Sequence, residues 1–267
     1  MMIDTTARIH PSAQIAANVV MGPWVYIGEN VVIGEGCKID PHAVVLRNTT
    51  MGKNNHIHSN AVVGGDPQDL GYRGEAVWLK MGDDNIVREF LTINRGSAKS
   101  GTTFVGNKNC FLSYAHVAQD CHIGNEVLFV NCASVAGHVT VDDYAIIGAY
   151  STVHQFTRIG AYSFLAQGAQ VPNDIPPFML VTGIPGIPVT LNLVGLRRRG
   201  FSANTISGLK KAFRVLYRQN LSLKDAENAL NDLVKETPEI QMIIDVMQSS
   251  KRGLVRKQVE RDAPVDD

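Results

Sequence analysis

Three histidines near the middle of this chain, His116, His138 and His154, offer the side chain most often used to take and return a proton near neutral pH. Gln119 lies between the first two; its amide donates and accepts hydrogen bonds but cannot take up a proton there. His138 follows Gln119 by 19 residues, and His154 follows His138 by 16. Upstream, Gln68 and Asp69 bring an amide and a carboxylate together in a stretch without regular patterning. Downstream, Arg197, Arg198, Arg199, Lys210, Lys211, Arg214 and Arg218 concentrate positive charge, either as a solvated helical face or as a contact for an anion or an acidic protein. The four cysteines (Cys37, Cys110, Cys121, Cys132) show no CxxC or Cys/His spacing and read as free thiols. There is no Walker loop, GxSxG or HExxH motif.

Residues so far apart in sequence need a scaffold that returns the chain to one place at fixed intervals. A hexad register provides it. From Ile9 to Val171, 25 of the 28 slots at every sixth residue are Ile, Val, Met, Leu or Phe; the misses are Asp69, Glu75 and Lys99. A period of six fits neither a helix nor an alternating strand. It predicts a parallel β-helix in which three hexapeptides make a triangular coil of about 18 residues with one inward side chain each. Gln119, His138 and His154, spaced close to one coil, are then expected to stack near one edge. Small residues four places after the inward one (Ala13, Val19, Val25, Val31, Cys37, Ala43) keep the interior narrow. Gly22, Gly28, Gly34, Gly52 and their equivalents follow the inward residue and are expected to ease the tight corners.

Residues 66–79 lose the apolar slots and read as an excursion from the prism; residues 96–103 read as a second, more polar loop. The repeat is expected to stop near Thr182, ahead of a proline-rich stretch. The division falls at a β-helix over 1–188, a helical part over 189–256 and a disordered tail over 257–267. Ser202 and Ser222 are set to cap helices, and Thr237-Pro238 to start a third. The formal net charge is zero, which argues against nucleic acid as the main partner. No signal peptide and no membrane-spanning run is expected, which points to a cytoplasmic chain.

The segments PQDLGYRGE (67–75), TINRG (92–96), AHVAQDCHIGN (115–125), AGHVTVDDYAIIG (136–148), VHQF (153–156) and NLVGLRRRGFS (192–202) together resemble the acyl-acyl carrier protein:UDP-N-acetylglucosamine O-acyltransferases, in order and over about Ile3 to Arg256. The bare hexad is shared by many proteins, but QDL, AGHV, VHQF and GLRRRGF in this order are specific. The resemblance implies a homotrimer of left-handed parallel β-helices with clefts between neighbouring prisms. It implies transfer of a 3-hydroxyacyl chain from acyl carrier protein to the 3-position of UDP-N-acetylglucosamine, the first step of lipid A synthesis, with no cofactor and no metal. Gln68 and Asp69 would hold the sugar; His116, His138, His154 and Gln155 would line the cleft; Asn192, Arg198 and Arg199 would face the nucleotide; Gln167 would sit near the end of the acyl groove and shorten it, favouring about ten carbons over fourteen.

This chain departs from the family at the general base, where Gln119 stands in place of a histidine. Loss of a general base typically costs about 10²–10⁴ in rate. Four explanations stay open: another histidine serves, with His116 the first candidate and His138 the next; the acceptor is the amine of a 3-amino nucleotide sugar; the protein binds nucleotide sugar or carrier protein without turnover; or Gln119 is a deliberate substitution. Gly71, where relatives carry lysine after QDL, removes one charge from the loop. A metal-dependent hexapeptide enzyme is a further class and would need three histidines, His116, His138 and His154, to converge between subunits.

Overall fold

The computed structural model describes residues 2–256; the expected tail, 257–267, lies outside them. Short strands of mostly two residues recur every six residues and pair in parallel with the strand one coil away. They form three sheets along the faces of a prism. Sheet A runs from Met2–Ile3 to Phe164–Leu165, sheet B from Arg8–Ile9 to Gln170–Val171, and sheet C from Gln14–Ile15 to Arg158–Ile159. The expected inward column is the core: Ile27, Ile33, Ile39, Val45, Ile57, Val63, Val117 and Val135 are fully buried. Phe111 and Phe129 stack inside it with ring centres 5.1 Å apart. The narrow slots are also filled as expected, with Val19, Val25, Val31, Cys37 and Ala43 buried. In the middle coils that slot holds a ladder of buried asparagines. Asn85 Nδ2 donates to Asn55 Oδ1 (3.0 Å), the Asn109 amide to Asn85 Oδ1 (2.9 Å), and the Val127 amide to Asn109 Oδ1 (2.7 Å).

A coil normally takes 18 residues, as where Val20 pairs with Lys38. His56 pairs with Ile86, so that coil holds 30, and Ile86 pairs with Cys110, so the next holds 24. The extra 12 and 6 residues correspond to the three missed slots, Asp69 and Glu75 in the first excursion and Lys99 in the second. Because both insertions are whole hexads, the apolar register resumes unshifted. The chain leaves sheet B at Gly65 and rejoins sheet C with Trp78–Met81; it leaves again after Asn94 and rejoins with Thr102–Val105. Trp78 and Leu79 therefore belong to the sheet rather than to the excursion.

The corners correct the expectation about glycine. The left-handed residues stand at positions divisible by six and are mostly not glycine: Asn30, Asn48, Asp120, His138, Tyr144 and Phe156 all have φ between 54° and 64°. The glycines one place after the inward residue answer to crowding instead. A Cβ on Gly34 would lie 2.4 Å from the carbonyl oxygen of Gly52 on the next coil.

The solenoid closes with Met179–Thr182, which joins sheet A in parallel, and Ile187–Leu191, which pairs back on it antiparallel and runs across the expected 188/189 division. Four helices follow among the described residues: α1 (Leu193–Arg198), α2 (Ala203–Arg218), α3 (Leu223–Val234) and α4 (Gln241–Ser249). Ser202 and Ser222 cap α2 and α3 by accepting from the Thr205 and Asp225 amides. Thr237 makes no side-chain cap; Pro238–Ile240 is a single 3₁₀ turn ahead of α4. Helix α1 was not expected: Asn192 caps it, its Oδ1 accepting from the Gly195 amide (3.1 Å). No described helix is long and apolar enough to cross a membrane.

Candidate active site

Both excursions, His138 and His154 share one edge of the prism, where sheet B turns into sheet C. Exact 18-residue stacking puts Gln119 over Gly137 and Gln155, and Asp120 over His138 and Phe156. The His138 amide donates to the Gln119 carbonyl (3.0 Å), and the Phe156 amide to the Gly137 carbonyl (3.1 Å). The expected stack of Gln119, His138 and His154 thus holds as an edge but not as a column, because 19 and 16 residues are each off the true repeat.

Asp120, which the sequence reading passed over, organises this edge. Its carboxylate is fully enclosed. It accepts from the Ser97 amide (2.7 Å), from Ser97 Oγ (2.5 Å) and from Ser100 Oγ, all in the second excursion. Its amide donates to Thr103 Oγ1 (2.8 Å). His138 Nε2 stands 3.4 Å from Asp120 Oδ2, and the imidazole lies flat on Phe156 with centroids 4.4 Å apart and planes 7° apart. Lys99 Nζ sits 5.3 Å above the same Phe156 ring. Beside this pair, Gln119 packs its amide where Gly137 leaves room, and Gln119 Oε1 is buried without a partner. A buried acceptor left open normally finds a donor.

His116 stands apart from that edge, on the outward face of sheet B at His116–Val117. Its Nδ1 is 2.7 Å from Thr92 Oγ1, and burial pushes its pKa below the usual imidazole range. His154 and Gln155 are exposed on the B/C edge, with His154 Nδ1 3.1 Å from the Gln155 carbonyl. Gln68 and Asp69 are exposed on the first excursion, where Asp69 Oδ1 accepts from the Gly71 amide (2.8 Å). The root of that loop is tied by Arg95, a second residue whose role was not anticipated: almost wholly buried, it donates to the Gly64 carbonyl and pairs with Asp66.

The remaining expected residues lie on other edges. Arg199 is at the turn from sheet C to sheet A, paired with Glu126 and stacked 4.4 Å over Tyr144, with Arg198 exposed beside it. Asn192 is nearly buried, and both ends of its amide are committed within the chain: besides capping α1, its Nδ2 donates to the Tyr162 carbonyl (3.0 Å). Gln167 is exposed at the turn from sheet A to sheet B. His116, His138 and His154 form no convergent metal-ligand set among the described residues.

A family profile described as Udp N-acetylglucosamine O-acyltransferase, domain 2, matches residues 174–255, and one described as the GMPPB C-terminal domain matches residues 3–71. The acyl-[acyl-carrier-protein]–UDP-N-acetylglucosamine O-acyltransferase of Thermodesulfovibrio yellowstonii is 44% identical, over 95% of this chain and 99% of that one. The enzyme of the same name from Saccharophagus degradans is 46% identical over the same shares. Among solved structures, the UDP-N-acetylglucosamine acyltransferase of Francisella novicida superposes with a TM-score of 0.94 at 40% identity, covering 97% of this chain and 95% of that one. That of Bacteroides fragilis gives 0.91 at 40% identity, covering 96% and 100%. The coil has the left-handed sense of these solved relatives.

Proposed function

This chain belongs to the acyl-[acyl-carrier-protein]–UDP-N-acetylglucosamine O-acyltransferases, and from that membership we propose that it moves a 3-hydroxyacyl chain from acyl carrier protein to the 3-hydroxyl of UDP-N-acetylglucosamine, with His138 rather than Gln119 as the general base. The observation that carries this reading is the enclosed Asp120 carboxylate facing His138 Nε2 at 3.4 Å. An aspartate so held favours the tautomer with its proton on Nε2, and leaves Nδ1 open to the acceptor. His138 Nδ1 takes the hydroxyl proton as the oxygen bonds to the thioester carbonyl carbon. The carbon–sulfur bond then breaks, and the departing thiolate takes that proton back. The Thr92 contact and buried seat of His116 make it the poorer base, which reverses the order expected from spacing.

The acceptor and donor are read onto the three edges. Gln68, Asp69, His154 and Gln155 contact the sugar, Arg198 and Arg199 the diphosphate, and Gln167 limits the acyl chain. These groups are spread around a prism no single side chain can span, which favours a homotrimer whose clefts join one subunit's B/C edge to another edge of its neighbour. The exposed basic residues of α2, Lys210 and Arg214, form no ion pair among the described residues and suit an acidic carrier protein. A cytoplasmic site of action follows from that donor.

One observation favours a second reading. Gln119 puts an amide that cannot take up a proton where relatives carry a histidine, and an amine needs less help from a base than an alcohol does, so the acceptor would be a 3-amino nucleotide sugar. Turnover of UDP-N-acetylglucosamine beside its 3-amino analogue separates the two: faster use of the hydroxyl sugar supports the first, use of the amino sugar alone supports the second, and loss of hydroxyl turnover in His138→Ala tests the base.

A further inference from the structure

Away from the B/C edge, the early coils gather a donor set that the acyl-transfer reading does not use. Asp40, His56 and His58 each turn one ligand atom toward a common point, all within 4.8 Å of one another; this is the only such grouping of three or more His, Cys, Asp or Glu among the described residues. His56 lies on the strand His56–Ile57 of sheet A; Asp40 and His58 directly follow the strands of two adjacent coils, with the Asp40 amide bonded to the Ile57 carbonyl (2.8 Å). His56 Nε2 is 2.8 Å and His58 Nδ1 3.4 Å from Asp40 Oδ2, and Glu89 Oε1, one coil further on, is 3.6 Å from His58 Nδ1.

We propose that Asp40, His56, His58 and Glu89 bind one divalent cation of the zinc type, which clamps three successive coils of the solenoid. Bonds of roughly 2.0–2.2 Å in a tetrahedron set neighbouring ligand atoms about 3.3 Å apart, and two imidazoles with two carboxylates are a donor set zinc accepts. The carboxylates are already oriented from behind. Lys38 Nζ holds the far Asp40 oxygen (3.2 Å), and Ser113 Oγ and Arg88 Nε hold Glu89 Oε2 (3.0 Å each); Arg88 Nη2 also donates to Glu89 Oε1 (3.2 Å), a bond that loading must release. Outer contacts of this kind fix ligand geometry in metal sites. The two imidazoles lie stacked at 3.8 Å with planes 26° apart, so loading opens that stack and brings both nitrogens onto the ion.

The test uses the tag-free full chain, stripped with chelator, dialysed against zinc chloride, passed through a desalting column and analysed for metal. One zinc per chain, lost in both His58→Ala and Asp40→Asn while those variants keep their circular dichroism and acyl transfer, is the expected result. Cobalt in place of zinc should give the visible absorption of a tetrahedral ion in the unaltered chain alone. Failure of the unaltered chain to retain zinc, or undiminished retention by both variants, overturns the site and leaves the acyl-transfer reading standing.

Discussion

His138 and Gln119 belong to adjacent columns of one edge, and that one-residue offset decides which of them can reach Asp120. Replacing His138 by Ala should lower kcat by about 10²–10⁴, with KM for the nucleotide sugar changing much less. Gln119→His in that background should restore activity, because an imidazole then occupies the neighbouring column, whereas His116→Ala alone should leave kcat within a few fold. Steady-state kinetics across pH check all three. Gln167 makes a separate prediction. If its side chain stops the acyl groove, Gln167→Gly should shift preference toward longer acyl donors. Each added CH₂ that becomes buried is worth about 0.8 kcal/mol, or roughly fourfold in kcat/KM; competition between carrier-bound chains of graded length reads the shift. Asp120 was invisible in the sequence because one charged residue carries no periodic signal. Only its position at a left-handed corner, six residues from the next, marked its place.

The repeating element was the most legible level, since one inward side chain per rung leaves a period that neither helix nor flat sheet can imitate. The glycines were legible as a pattern but not in their cause. Ordinary residues such as Asn30 and Tyr144 tolerate the corners, while Gly34 sits where the next coil's backbone leaves no room for a Cβ. Gly34→Ala should therefore destabilise the chain by about 1–3 kcal/mol through overpacking. Asn30→Gly, at φ 54°, should change stability far less. Denaturant titration of both variants tests this directly. Helix α1 escaped notice because Asn192 was read only for what it could bind, and its cap on the Gly195 amide was not seen. On α2, Lys210→Glu with Arg214→Glu should raise KM for the carrier-bound donor and flatten its dependence on salt, without altering KM for the nucleotide sugar.

At the scale of the whole molecule, the solenoid was readable in the sequence along its repeat, but the arrangement of the site was not. Sequence spacing alone does not say which edge a turn lies on. The two insertions reset the coil lengths to 30 and 24 without disturbing the register, and the helical part returns Arg198 and Arg199 to an edge that His138 does not share. The proposed cleft therefore needs one subunit to complete another. Co-expression of His138→Ala chains with Arg198→Ala/Arg199→Ala chains tests it most directly. Each variant alone should be inactive. If three chains assemble as proposed, random mixing in equal amounts should restore about one site in four overall, one of the three in every mixed trimer, since an intact histidine edge then meets an intact arginine edge from a neighbour. A mixture as inactive as its two parents would contradict the shared cleft.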